Sequence, residues 1–324
     1  MNKLSIIIPT YNRADLIPFT LDSLLPVHHP GVDYEVIVID DGSADNTWEL
    51  VTNSYPDVIL LRNEGKGAPA ARNTGLRASQ GTYILYLDSD DLIGPGYLKG
   101  KITWLDEHPD LDAVYGAYDY FASDGAFSAE TIIFKHKYPK ELGADAAEKH
   151  MANYLSGDYV PANTLIWRRE ILQACKGHRE DLALNQDVDL MVRALLNNAT
   201  IGYHDDGTQV FIRSHIQGER VGILSKKDEQ RWRQIFSLRN DFFEEIQGTR
   251  FDNAEIRTRF ATYLFNCWRS LRNTLPSIAD DFLSLAKKVH WPVKIKGGIF
   301  FSVLGQIIGP VNAIKVKFML LKRD

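Results

Sequence analysis

Cysteine is scarce: Cys175 and Cys267 are the only two in 324 residues. Two isolated thiols supply neither a disulfide framework nor the paired spacing of a zinc site, which points to a reducing compartment, the cytoplasm. Long apolar runs are missing too. Leu4–Ile8 is too short for the apolar region of a signal peptide, and Pro9 and Asn12 interrupt it. Residues 297–314 carry no charge but are broken by Gly305, Gln306, Gly309 and Pro310, which argues against a transmembrane span. The body of the chain has no basic stripe with interleaved aromatics, so nucleic acid is not an expected partner. A formal net charge of -5 hides an asymmetry: eight Lys or Arg and one acid lie between Lys287 and Asp324, leaving the rest clearly acidic. No glycine-rich basic loop follows the first apolar run, as a nucleotidyltransferase would require; that position reads Pro9-Thr10-Tyr11-Asn12-Arg13. The dinucleotide fingerprint is incomplete, since Gly65-Lys66-Gly67 lacks its full set of glycines and follows a third strand rather than a first.

What is present is an ordinary globular composition, 44% hydrophobic and 24% charged. Short apolar runs bounded by turn residues predict strands at Leu4–Pro9, Tyr34–Ile39, Val58–Leu61 and Tyr83–Leu87, the first and last of them buried. Helical patterns separate them, from about Asp15 to Leu25, after Asp45 or Asn46, and from about Pro69 to Ala78. This alternation predicts an α/β chain with a doubly wound, mostly parallel sheet.

Polar residues collect where those strands end: Thr10 and Asn12, then Asp40 and Asp41, then Asp88, Ser89, Asp90 and Asp91. Ligands of open α/β sheets bind in the crevice outside the strand carboxyl ends. Carboxylates there suit ribose hydroxyls, an imide N–H, or a hard divalent cation that also holds phosphate oxygens. The turn Gly65–Gly67 with Lys66 lets backbone approach a phosphate. Taken singly, each piece has a plainer reading: Asp-Gly-Ser is a common turn that Asp40 or Asp41 could initiate, and Arg72 could lie on a solvated helix face.

Together the blocks Ile6–Arg13, Val38–Ser43, Ala71-Arg72-Asn73-Thr74-Gly75, Gly81–Ile84 and Leu87–Asp91 resemble the family 2 glycosyltransferases, which use the GT-A fold. The resemblance covers about the first hundred residues in order and spacing. It implies an inverting transferase with a nucleotide-sugar donor, usually a UDP-sugar, and Mn²⁺ or Mg²⁺ as cofactor. It places Pro9, Thr10, Tyr11, Arg13, Asp40, Asp41, Gly67, Arg72, Asn73, Asp88, Ser89 and Asp90 around the donor, with Asp88 and Asp90 at the metal and Asp91 in a structural position. The acceptor it implies is a glycan or a lipid-linked glycan, in the assembly of bacterial surface polysaccharide.

Further on, Ala113–Phe121 reads as one strand, Ala122–Lys149 as loop-rich, and Arg169–Ala174 as a short helix. Leu184–Arg193 resembles the family's second acidic motif, with Gln186 where Glu is usual and Asp187 retained as the general base. A carboxylate within reach of the acceptor hydroxyl suffices for that role, although Asp187 could instead cap the helix that follows. Asp189 reads as a solvated helix residue. Gln209–His215 reads as a last strand, with His215 a further metal ligand or a surface histidine. The family's Gln-x-x-Arg-Trp motif of processive synthases is absent, so a single-addition enzyme is expected. Residues 1–220 form the expected catalytic domain, with its halves meeting near residue 110, and 221–324 a helical extension. In that extension Ile256, Phe260, Leu264, Cys267 and Leu271 recur at helical spacing, as core residues do. The basic segment 287–324 suits peripheral contact with an anionic membrane, an oligomer interface or a helical cap equally. The rival function is a non-catalytic sugar-nucleotide or glycan-binding protein, and Gln186 is the feature that points to it.

Overall fold

The computed structural model describes residues 3–122, 132–135, 146–214 and 227–290. Their contacts divide the chain into two compact units, one of residues 1–147 with 160–223 and the other of residues 148–159 with 224–324.

The first unit opens with strand β1 (Leu4–Thr10), helix α1 (Ile17–Ser23), β2 (Tyr34–Asp40), α2 (Thr47–Ser54), β3 (Ile59–Arg62), α3 (Gly67–Ala78) and β4 (Tyr83–Tyr86). β1 is buried along its whole length, as an apolar run covered on both faces must be. It pairs in parallel with β2 on one side and β4 on the other, and β2 pairs in parallel with β3. The direction of winding therefore reverses between β1 and β4, which opens a crevice at their carboxyl ends. Thr10 lies on one side of that crevice and Asp88 on the other.

Helix α3 seals one face of this sheet. Gly75 is where it comes closest: a Cβ there would lie 2.3 Å from the Ile7 Cγ2 atom of β1. Alanine would gain about 1 kcal/mol of helix propensity over glycine. Forcing a methyl into a filled space costs about 1–3 kcal/mol, so overpacking should win. We expect Gly75→Ala to lower the urea midpoint, with a net loss of up to about 2 kcal/mol of unfolding free energy; an unchanged or higher midpoint would contradict the close packing.

The chain continues through β5 (Leu92–Ile93), α4 (Tyr97–Glu107), β6 (Ala113–Tyr115), β7 (Ala117–Phe121) and β8 (Ile132–Lys135). The single strand expected over Ala113–Phe121 is thus two strands in two sheets. Gly116 marks the break: its N–H donates to the Tyr97 hydroxyl at 3.1 Å, and a Cβ would lie 2.4 Å from Lys101 Cε. The expected loop region Ala122–Lys149 also differs, since it contributes β8 and the start of α5 (Ala146–Leu155).

After α5 come β9 (Leu165–Arg168), α6 (Arg169–Ala174), α7 (Gln186–Leu196), β10 (Ile201–Tyr203) and β11 (Gln209–Arg213). β9 inserts antiparallel between β4 and β6, giving a seven-stranded sheet in the order β10-β6-β9-β4-β1-β2-β3. A four-stranded sheet, β5-β11-β7-β8, contains one parallel pair, β11 with β7. β11 brings Arg213 against the turn that follows β4.

The second unit contains α8 (Glu229–Ile246), α9 (Ala254–Leu271) and α10 (Pro276–Val289). Asp228 and Asn253 cap α8 and α9 by accepting from the N–H groups of Arg231 and Ile256. The apolar stripe of α9, from Ile256 to Leu271, is buried as its spacing predicts, and α10 packs against α9. Among the described residues no helix is long and apolar enough to cross a membrane. The basic segment from Trp291 onward lies outside the described residues.

Candidate active site

Two loops at the carboxyl ends of β1 and β2 are tied together by their own polar side chains. Asn12 takes a left-handed backbone (φ 50°), which asparagine tolerates, and its N–H donates to Ser43 Oγ at 2.9 Å. Its side-chain oxygen accepts from Ala44 N–H at 2.8 Å, and Arg13 N–H donates to Thr47 Oγ1 at 2.9 Å. Pro9 and Thr10 are buried at the end of β1, and the Thr10 hydroxyl has no hydrogen-bond partner among the described residues. Tyr11 projects outward with 54% of its surface exposed.

Asp40 and Asp41 separate into different roles. Asp40 is fully buried, accepts from Gly42 N–H at 3.2 Å and from Ser43 N–H, and pairs with Arg62. Of the two acids it is the one that forms the turn. Asp41 is partly exposed; it accepts from Asn63 Nδ2 at 2.6 Å and from Gly67 N–H at 2.8 Å. Gly67 has φ 82° and opens α3, so Asp41 places negative charge at that helix N-terminus. A carboxylate has about four acceptor positions, so Asp41 retains capacity for a further donor.

Arg72 is the centre of the cluster. Its guanidinium is buried, donates from Nη2 to Asp88 Oδ1 at 2.8 Å, and holds Nη1 3.8 Å from Asp187 Oδ1. Burial disfavours its charge, but Asp187 and Asp88 outweigh that and hold it above its ordinary value. The solvated-face reading of Arg72 is therefore excluded. Asp88, with half of its side chain open to solvent, is shifted upward by desolvation; Arg72 opposes this, and the charges of Asp90 and Asp187 add to it. Ser89 is buried between the two acids, and Arg13 Nε stands 3.9 Å from Asp90 Oδ2.

Asp91 anchors the turn itself. It accepts from Arg213 N–H at 2.7 Å and from Asn163, while Arg213 Nε donates to the Asp90 carbonyl at 2.9 Å. Burial, then the charges of Asp90 and Asp88, push Asp91 well above the carboxylate range. Asn73 is also engaged internally, binding the His178 carbonyl at 2.8 Å and Glu180 at 2.9 Å.

Asp187 lies in the first turn of α7, but it is not the cap: that position is Asn185, in a left-handed conformation and without a side-chain cap bond. Its Oδ1 is buried beside Arg72 and lies 3.5 Å from His178 Nε2. Burial alone would raise its pKa; Arg72 and His178 together reverse that and hold it below the ordinary carboxylate value. Gln186 carries a buried amide oxygen with no partner among the described residues. Asp189, expected to be solvated, is buried and accepts from Arg193 Nη2 at 2.6 Å, because this face of α7 packs inward. His178, Glu180 and Asn163 were not anticipated; the charged run Gly177–Asp181 ahead of the acidic motif is the signal that marks two of them.

The structure thus brings Arg13, Arg72, Asp88, Asp90 and Asp187 to one edge of the sheet, with Asp41 and Gly67 paired nearby; His215 lies outside the described residues. Two carboxylates at one strand end that repel each other are a donor set suited to a hard divalent cation. Among the described residues no group of three metal-binding side chains assembles, so further ligands would come from a bound diphosphate, water or residues not described.

Carboxylates and the buried guanidinium of Arg72 therefore line the crevice at the topological switch point of an α/β sheet. Residues 5–173 match the model of glycosyl transferase family 2, and the chain belongs to that family. It is 32% identical to an uncharacterized glycosyltransferase of Haemophilus influenzae over 97% of this chain and 98% of that protein. A poly(ribitol-phosphate) beta-N-acetylglucosaminyltransferase of Staphylococcus aureus, TarS, is 36% identical over 33% of this chain, which spans only 20% of that protein. Among solved structures, S. aureus TarS 1–349 in complex with UDP-GlcNAc superposes with a TM-score of 0.62 at 21% identity, covering 90% of this chain and 84% of that one. The mannosyltransferase PcManGT of Pyrobaculum calidifontis, in complex with GDP-Man and Mn²⁺, gives 0.56 at 19% identity, covering 96% and 80%. The fold is that of the GT-A glycosyltransferases.

Proposed function

We propose that this chain is an inverting, metal-dependent glycosyltransferase that moves a sugar from a UDP-sugar to a hydroxyl of a glycan or lipid-linked acceptor. The observation that carries the reading is the meeting of Asp187 with Arg72 and Asp88 at one strand edge, in a chain of this family. Asp187 takes the proton of the acceptor hydroxyl, whose oxygen attacks the anomeric carbon as the bond to the diphosphate breaks. A cation held by Asp88 and Asp90 would neutralise charge on the diphosphate. Thr10, Tyr11 and Asp41 bind the nucleoside, Asp41 through the uracil imide and Tyr11 through the base's face. Arg13, Gly67, Arg72, Asn73 and Ser89 complete the donor site, Asn73 by fixing α3. Surface polysaccharide assembly in the cytoplasm, beside the membrane that carries a lipid-linked acceptor, is the setting this reading favours.

The nucleoside half of the reading has its own test. An exposed aromatic ring stacked on a base contributes about 1–3 kcal/mol. We therefore expect Tyr11→Ala to weaken UDP binding roughly 5- to 150-fold in calorimetric titration, with little change in stability because more than half of the residue is exposed. Equal affinity in the variant would remove Tyr11 from the site.

A further inference from the structure

His178 is 3% exposed, yet the proposed reaction gives it no part. Asn73 fixes its backbone in both directions: His178 N–H donates to Asn73 Oδ1 at 2.8 Å, and Asn73 Nδ2 donates to the His178 carbonyl at 2.8 Å. Tyr86 fixes the ring by edge contact, with centroids 4.8 Å apart. Nε2 then lies 3.5 Å from Asp187 Oδ1, and Arg72 Nη1 lies 3.8 Å from the same oxygen. All three atoms are buried, and among the described residues none has a hydrogen-bond partner within bonding distance. Buried polar atoms without partners are rare, and here three of them converge, so a small contraction would satisfy all at once. Asp187 Oδ1 is buried while 35% of the side chain is open, which leaves the Oδ2 side as the exposed part of the carboxylate.

We propose that His178 is a positioning residue for Asp187: its Nε2–H holds Oδ1 on the protein side, so that Oδ2 is the oxygen presented to the acceptor hydroxyl. The inference rests on the reading of Asp187 as the base. It assigns the proton of the neutral ring to Nε2 and leaves Nδ1 as the bare nitrogen. Burial, with Arg72 and Arg193 adding to it, keeps the ring below the ordinary histidine value despite the pull of Asp187, so the ring stays neutral. The groups that set the charge state of Asp187 are therefore Arg72 from α3 and His178 ahead of α7, and its charge in turn is felt by Tyr86 and Asp88 at the end of β4. His178 is a fixed donor in this arrangement, and no second proton moves when Oδ2 accepts the acceptor's proton.

The test uses the full chain and three variants. His178→Phe keeps a ring against Tyr86 but removes the donor, His178→Gln restores an N–H donor, and Asp187→Asn identifies the Asp187 signal in carboxyl-carbon NMR. Asp187 should titrate below the ordinary carboxylate range in the unmodified chain, move upward in His178→Phe, and return toward the original position in His178→Gln. With UDP-N-acetylglucosamine and Mn²⁺ as the probe and water as acceptor, kcat for UDP release should fall about 10- to 100-fold in His178→Phe, the size of one hydrogen bond to a charged group. KM for the donor should hold, and His178→Gln should recover part of the loss. Identical Asp187 titration in the unmodified chain and His178→Phe, with Asp187→Asn inactive, would overturn the role of His178 and leave the base in place. An Asp187→Asn chain that releases UDP at the original rate would overturn the base and, with it, the positioning role.

Discussion

Asp187→Asn should lower the turnover of a UDP-sugar roughly 10²- to 10⁴-fold, the usual contribution of a positioned general base. Asparagine keeps the shape of the side chain but cannot accept the acceptor's proton as a base. The substitution removes one of the two carboxylates that balance Arg72, while the 2.8 Å bond from Arg72 to Asp88 remains. The 35% exposure of Asp187 also leaves the variant's amide partly solvated, so the loss should fall on kcat rather than on folding. UDP affinity should hold within a few-fold. Because neighbouring charges keep Asp187 below the ordinary carboxylate range, it stays ionised throughout the neutral region. The activity of the unmodified enzyme should therefore show no acid limb from this group between about pH 6 and 8. A steady fall in kcat/KM across that interval, absent from Asp187→Asn, would contradict the assignment of a low pKa.

Asp90→Ala should abolish the metal-dependent part of UDP binding, a loss of roughly 10²-fold or more, since charge neutralisation by a bound cation is worth several kcal/mol. The variant is informative because the bonds that hold this turn run through the Asp90 backbone and through Asp91, while the Asp90 side chain stands 3.9 Å from Arg13. Arg213 holds the Asp90 backbone carbonyl, and Asp91, not Asp90, accepts from Arg213 N–H and Asn163. Asp90 also adds unfavourable charge to both Asp88 and Asp91. Removing it should move both carboxyls toward their ordinary range while giving up the Arg13 pair, so thermal stability should change little. Weaker UDP binding together with a lower melting temperature would instead indicate a structural role for the side chain.

The four parallel strands were legible because each is a short apolar run between turn residues; β1, β2 and β4 are buried, whereas β3 at the sheet edge is exposed to half-buried. The motif glycine Gly75 was legible as part of a pattern, but its reason, contact with Ile7, is a packing fact. The bend at Gly116 was hidden because the residues on both sides are equally apolar. β9 was hidden for a related reason: Leu165–Arg168 leads directly into α6, and only pairing with β4 and β6 makes it a strand. In the site, the acids at the strand ends were readable from position, whereas their division of labour was not. Nothing in Asp40-Asp41 says that the first is sealed under Arg62 while the second meets Gly67. Asp189 and His178 were misread or missed because burial beside Arg193 and beside Tyr86 arises from how α7 and its preceding loop pack, which local sequence does not encode.

The most direct test of the central claim is release of nucleoside diphosphate from a panel of UDP- and GDP-sugars by the purified full chain, with Mn²⁺ and then with a chelator. We expect a UDP-sugar to be consumed with Mn²⁺, the chelator to stop the reaction, and Asp187→Asn to slow it roughly 10²- to 10⁴-fold. A folded chain that consumes no sugar nucleotide under any of these conditions, and binds no UDP, would contradict the account.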